Sequence, residues 1–101
     1  MELAKSAEEK IQTIEVNMPC HLGLHMRTAA GFIGFSKRFE SHITIQCREF
    51  VTDGKSIMGL LCLGASKGET LMITVEGEDA DIACREIEAY FQQEENCYDE
   101  R

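Results

Sequence analysis

His42-Ile43-Thr44-Ile45-Gln46-Cys47 runs directly into Arg48-Glu49 and then Phe50-Val51-Thr52-Asp53. Ile43, Ile45 and Cys47 alternate with polar neighbours, which is the period-two pattern of a half-buried strand. Arg48-Glu49 turns the chain into a short partner strand over 50–53. Upstream, Ala29, Phe32, Ile33, Ser36 and Phe39 recur at helical spacing, so the chain from Met26 to Phe39 presents one apolar face. Gly31 and Gly34 each weaken that helix by roughly 1 kcal/mol relative to Ala unless close packing requires them. Phe35 lies off the face, as a boundary residue or an exposed anchor for a partner.

Farther out, Ile11 to Val16 is a β-branched run that reads as a strand. Pro19 and Gly23 mark a loop carrying His21 and His25. Downstream of the hairpin, Ser56 is a suitable N-cap and Gly64 a suitable stop for a short apolar helix. Leu71, Ile73 and Val75 alternate in a strand over 69–76. Asp79 can cap a last helix with Ala80, Ala83, Cys84, Ile87, Tyr90 and Phe91 on one face. The order is β-α-β-β-α-β-α. Strand pairs linked by helices predict an α+β open-faced β-sandwich, a four-stranded antiparallel sheet covered on one side by three helices. The predicted division is a loosely ordered arm over 1–10, one domain over 11–94 and an acidic tail over 95–101.

The formal charge of −8 disfavours nucleic acid, whose phosphates require clustered Lys and Arg. Yet His21 to Arg38 holds no acidic residue and contains Arg27, Lys37 and Arg38, a stretch suited to an anion or an acidic partner. No run is long and apolar enough for a membrane span or a signal peptide, so no membrane insertion is expected. The odd set Cys20, Cys47, Cys62, Cys84 and Cys97 reads as reduced thiols of a cytoplasmic protein. Cys20-His21 and His25 do not complete a tetrahedral set, so neither a metal nor a cofactor is expected.

The chemistry concentrates in Gly23-Leu24-His25-Met26-Arg27. A histidine at a helix N-terminus meets exposed N–H groups and the positive end of the helix dipole, which disfavour His⁺ and favour an anion on the ring. A neutral imidazole offers a nucleophilic nitrogen, and a neighbouring guanidinium can clamp phosphate oxygens. The pair suits a group that accepts a phosphoryl, holds it and passes it on.

Gly23-Leu24-His25-Met26-Arg27-Thr28-Ala29-Ala30, with Lys55-Ser56-Ile57-Met58-Gly59-Leu60 downstream, resembles HPr, the histidine-containing phosphocarrier family of the phosphoenolpyruvate-dependent phosphotransferase system. Leu63 to Gly68 and Glu76 to Asp79 extend the resemblance, which covers residues 11 to 94. It implies that His25 accepts phosphate on Nδ1 (a pros-phosphohistidine) from Enzyme I and gives it to EIIA-type domains. It also implies that Arg27 stabilises the phosphohistidine, and that Ser56 is the target of an HPr kinase/phosphorylase. Met26, Ala30, Ile57, Met58, Leu60 and Leu61 match the partner-docking neighbourhood. The expected product is a monomeric relay protein rather than an enzyme with its own turnover. The alternative is a regulatory interaction module controlled through Ser56.

The chain departs from the family pattern within the motif itself. Met26 stands where Ala, Ser or Thr is usual, and Thr28 where Pro pre-sets the first helical turn. Leu22 replaces a small polar residue, and Gly54 an apolar one.

Overall fold

The computed structural model describes residues 10–23 and 26–93. Its elements are β1 (Lys10–Asn17), α1 (Met26–Ser36), β2 (His42–Cys47), β3 (Phe50–Asp53), α2 (Ile57–Leu63), β4 (Thr70–Gly77) and α3 (Ala80–Phe91). The four strands form one antiparallel sheet in the order β1-β4-β2-β3. β1 begins at Lys10, so the last residue assigned to the arm belongs to the sheet. The rest of the arm and the tail over 95–101 lie outside the described residues.

Alternation sorts the sheet into two faces. Ile14 pairs with Ile73 and Ile73 with Ile45, while Val75 pairs with Ile43. These side chains point to the helical layer, and all but edge-strand Ile14 are fully buried. On the other face Thr13, Thr74 and Thr44 stand in one row, with the Thr13 and Thr74 hydroxyls 3.2 Å apart. Among the described residues no helix covers that face, and its threonines are exposed or half-buried. A one-residue slip would exchange the two faces, and burial of one of them therefore pins the register.

The helical layer is organised around Phe32, which is fully buried. Its ring lies 5.5 Å from both Tyr90 and Phe91 and 5.9 Å from Phe35. Phe35 is no exposed anchor. It stacks on Tyr90 at 4.5 Å, and Arg38 lies over its outer side. Phe39 is buried, although α1 ends at Ser36, because tight turns carry the chain inward. Close packing does not account for Gly34, where a side chain would meet nothing within 4 Å.

Asp79 takes the N-cap position of α3, but its carboxylate does not cap the helix. It accepts hydrogen bonds from the Glu40 and Ser41 amides at 2.9 and 3.0 Å and from the Ser41 hydroxyl. Desolvation pushes its pKa up, and the Ser41 and Glu40 hydrogen bonds outweigh that and hold it below the usual carboxylate value. A depressed folded-state pKa adds stability that is present above the unfolded value and lost as pH falls through the folded one. Asp79→Asn should therefore cost about 1–2 kcal/mol at pH 7. The wild type and variant should converge in urea midpoint as the pH drops below the carboxylate range. A gap that persists unchanged at low pH would contradict this role.

Candidate functional site

The described candidate residues lie on or at the start of two helices that pack against each other, α1 and α2. α1 begins at Met26, so the residue preceding it in sequence is His25, which lies outside the described residues together with Leu24. The first turn of α1 carries no acidic side chain, and its leading amides have no intrahelical partner. Met26 and Arg27 are exposed there, and Ala30 follows on the exposed side one turn on. Phosphate oxygens at this end would meet N–H groups, a favourable dipole and a guanidinium together.

The loop before α1 is held in four ways. The Met18 amide donates to the Glu69 carbonyl and the Gly68 amide to the Met18 carbonyl, both at 2.7 Å, which ties the loop to the turn before β4. The Thr28 hydroxyl donates to the His21 carbonyl at 3.3 Å. Thr28 is buried, and its hydroxyl thus supplies a link between loop and first helical turn that a proline could not make. Leu22 points into the core. Gly23 packs flat on the end of α2. A Cβ there would lie 2.6 Å from the Leu60 carbonyl oxygen and would overlap the Gly64 backbone.

α2 is a seven-residue helix capped at both ends as its sequence predicts. The Ser56 hydroxyl accepts from the Gly59 amide at 3.0 Å, and Gly64 closes the helix in the left-handed conformation at φ 60°. Gly59 is required because a side chain would run into Thr52 on β3. Gly54 is explained in the same way, since a Cβ would stand 2.6 Å from Ile43 Cγ2.

The apolar run on α2 divides. Met58 is 65% exposed and Met26 61%, while Ile57 and Leu61 are half-buried against the core. Leu60 is fully buried and belongs to the core rather than to an exposed docking face. Its amide donates to the Ser56 carbonyl, which closes the first turn of α2.

Two features were not anticipated in the sequence. Arg48 adopts φ 58° in the β-hairpin and reaches Glu69 and the Leu63 carbonyl, bracing the end of α2 against the turn at 66–69. Glu69 in turn accepts from the Ser66 amide. The pattern Arg48-Glu49 signals a turn but not this reach. The second is Cys20, which is disulfide-bonded, so the reading of all five cysteines as reduced thiols fails there. Cys47, Cys62 and Cys84 are free.

Residues 12–93 match the family model described as the PTS HPr component phosphorylation site. The chain belongs to the HPr family. It is 42% identical over 65 residues to the phosphocarrier protein HPr of Borreliella burgdorferi, covering 64% of this chain and 76% of that protein. The HPr-like protein Crh of Bacillus subtilis is 35% identical over 83 residues, 82% of this chain and 95% of the relative. An HPr crystal structure from Thermoanaerobacter tengcongensis superposes with a TM-score of 0.71 at 30% identity, covering 84% of this chain and 93% of that one. HPr proteins are phosphocarriers of the phosphotransferase system, and this chain shares their element order and sheet. No helix among the described residues is long and apolar enough to cross a membrane.

Proposed function

We propose that the protein is a cytoplasmic, monomeric phosphocarrier in which His25 accepts a phosphoryl group from Enzyme I and transfers it to EIIA-type domains. The observation that carries this reading is the start of α1 at Met26, directly after His25, with the exposed Arg27 in an acid-free first turn. In the loading step the lone pair of His25 Nδ1 forms a P–N bond while the bond from phosphorus to the donor breaks, and the donor keeps that electron pair. The reverse step discharges the phosphoryl to the next carrier. Arg27 and the leading amides of α1 neutralise the phosphate oxygens in both directions. A few hydrogen bonds and one cation stabilise the phosphoramidate only moderately, which keeps it transferable.

Docking is assigned to Met26, Ala30 and Met58, with the half-buried Ile57 and Leu61 at the border, a small apolar face suited to short-lived complexes. Met side chains adapt to more than one partner surface, which suits a face that meets a donor and an acceptor in turn. Ser56 is assigned a regulatory phosphate from an HPr kinase/phosphorylase, placed at the N-terminus of α2 where the exposed amides favour negative charge.

Incubation with phosphoenolpyruvate and Enzyme I should give acid-labile phosphate on the wild type and none on His25→Ala. Equal labelling of the two proteins, or none on the wild type, would refute the carrier role. Acid-stable label at Ser56 with ATP and the kinase, in a chain that takes no histidine label, would favour the purely regulatory reading.

A further inference from the structure

Between α1 and α3 lies a cavity of about 390 Å³, lined by Gly34, Phe35 and Arg38 on one side and by Glu86, Ala89 and Tyr90 on the other. That volume falls in the range of small-molecule sites. Gly34 forms part of its wall. A glycine inside a helix costs stability relative to alanine, and no neighbour demands one here, since a Cβ would meet nothing within 4 Å. The space open to a side chain at this position is the cavity itself.

Arg38 and Glu86 bring opposite charges to that space from opposite walls. Among the described residues neither takes part in an ion pair. The Arg38 guanidinium lies over Phe35, 5.3 Å from the ring centroid, and 5.9 Å from that of Phe39. A guanidinium held on aromatic rings keeps its in-plane N–H fork for a carboxylate. A simple anion would meet Glu86 and the carbonyl end of α1, and a simple cation would meet Arg38. A neutral sugar would look for an open aromatic face, but Phe35 is already stacked on Tyr90 at 4.5 Å and covered by Arg38. A molecule carrying one charge of each sign satisfies both walls. The backbone of Gly34 and the methyl of Ala89 leave room beside them for an apolar group.

We propose that this groove binds a small zwitterion of the amino-acid type, its carboxylate on Arg38 and its ammonium on Glu86. The site does not depend on the phosphocarrier reading, since none of its residues belongs to the loading or docking face assigned above. Gly34 is then a residue whose cost to the helix keeps the groove open.

The test titrates the full isotope-labelled chain with leucine and follows backbone amide signals by NMR. Those of Gly34, Phe35 and Ala89 should shift and saturate in the millimolar range. Isocaproate lacks the ammonium and isoamylamine the carboxylate, on the same carbon skeleton. Each should bind about fivefold more weakly than leucine, the scale of one exposed ion pair. Glu86→Gln should erase the preference for leucine over isocaproate, and Arg38→Gln the preference over isoamylamine. Gly34→Leu should abolish the shifts at Phe35 and Ala89, while Gly34→Ala should raise the urea midpoint. Shifts that do not saturate, isocaproate, isoamylamine or glucose binding as tightly as leucine, or preferences that survive the charge substitutions would overturn the proposal. A Gly34→Ala variant no more stable than the wild type would overturn the account of Gly34.

Discussion

Gly23→Ala should lower stability by about 2–3 kcal/mol and reduce phosphate loading at His25 on the order of a hundredfold. The cause is backbone against backbone. The added methyl would sit 2.6 Å from the Leu60 carbonyl oxygen and overlap Gly64, and no side-chain rotation can relieve either contact. The loop must therefore lift away from the end of α2. That lift pulls on the Thr28 hydroxyl bond to the His21 carbonyl and on the Met18 pairings with Glu69 and Gly68. A displacement near 1 Å at a phosphoryl-transfer centre is enough for a loss of this size, because in-line geometry supplies much of the rate. Urea denaturation and the rate of acid-labile labelling measure the two effects separately. Wild-type values in both would show that the close approach of loop and helix is unimportant.

Phe32→Ala should be the most destabilising single core substitution, at about 3–5 kcal/mol. The ring is fully buried and touches Phe35, Tyr90 and Phe91, so its removal leaves a cavity between α1 and α3 that neighbouring rings fill only in part. Against a typical total stability of about 5–15 kcal/mol this leaves the variant partly unfolded at elevated temperature. The urea midpoint should fall with little change in the denaturant slope. A loss below about 1 kcal/mol would mean that the aromatic cluster relaxes around the gap.

The two substitutions separate different kinds of legibility. Phe32 is visible in the sequence, because its spacing from Ala29, Ile33 and Ser36 marks the buried face of α1. The alternation of Ile43, Ile45 and Cys47, and of Leu71, Ile73 and Val75, likewise announces strands and the face they bury. Ser56 and Gly64 announce both ends of α2, since cap chemistry is local. Gly23 is visible only as a motif residue. Its reason, the end of α2 pressed against it, involves residues about forty positions away.

The same distinction explains the misreadings. Asp79 has the residue type of a helix cap, yet Glu40 and Ser41, just before β2, offer its carboxylate three donors from a distant stretch of chain. Phe35 lies off the apolar stripe of α1, but Tyr90 on α3 reaches round to stack on it. Leu60 belongs to a run too apolar to face one way, and only the position of α2 over the sheet decides that Leu60 goes in and Met58 out. Cys20 carries no local mark of pairing, because a disulfide is set by which distant ends the fold brings together.

Periodicity, caps and turns act over a few residues, so the linear chain was enough to specify the element order, the inward faces, and the family to which His25, Arg27 and Ser56 belong. The folded arrangement was needed for everything that depends on non-local approach: the sheet order β1-β4-β2-β3, the seating of the loop on α2, the bracing of that helix by Arg48, and the bonded state of Cys20. The physical reason is range. Local rules choose the backbone conformation of each segment, while contacts between segments exist only after the hydrophobic faces have found one another.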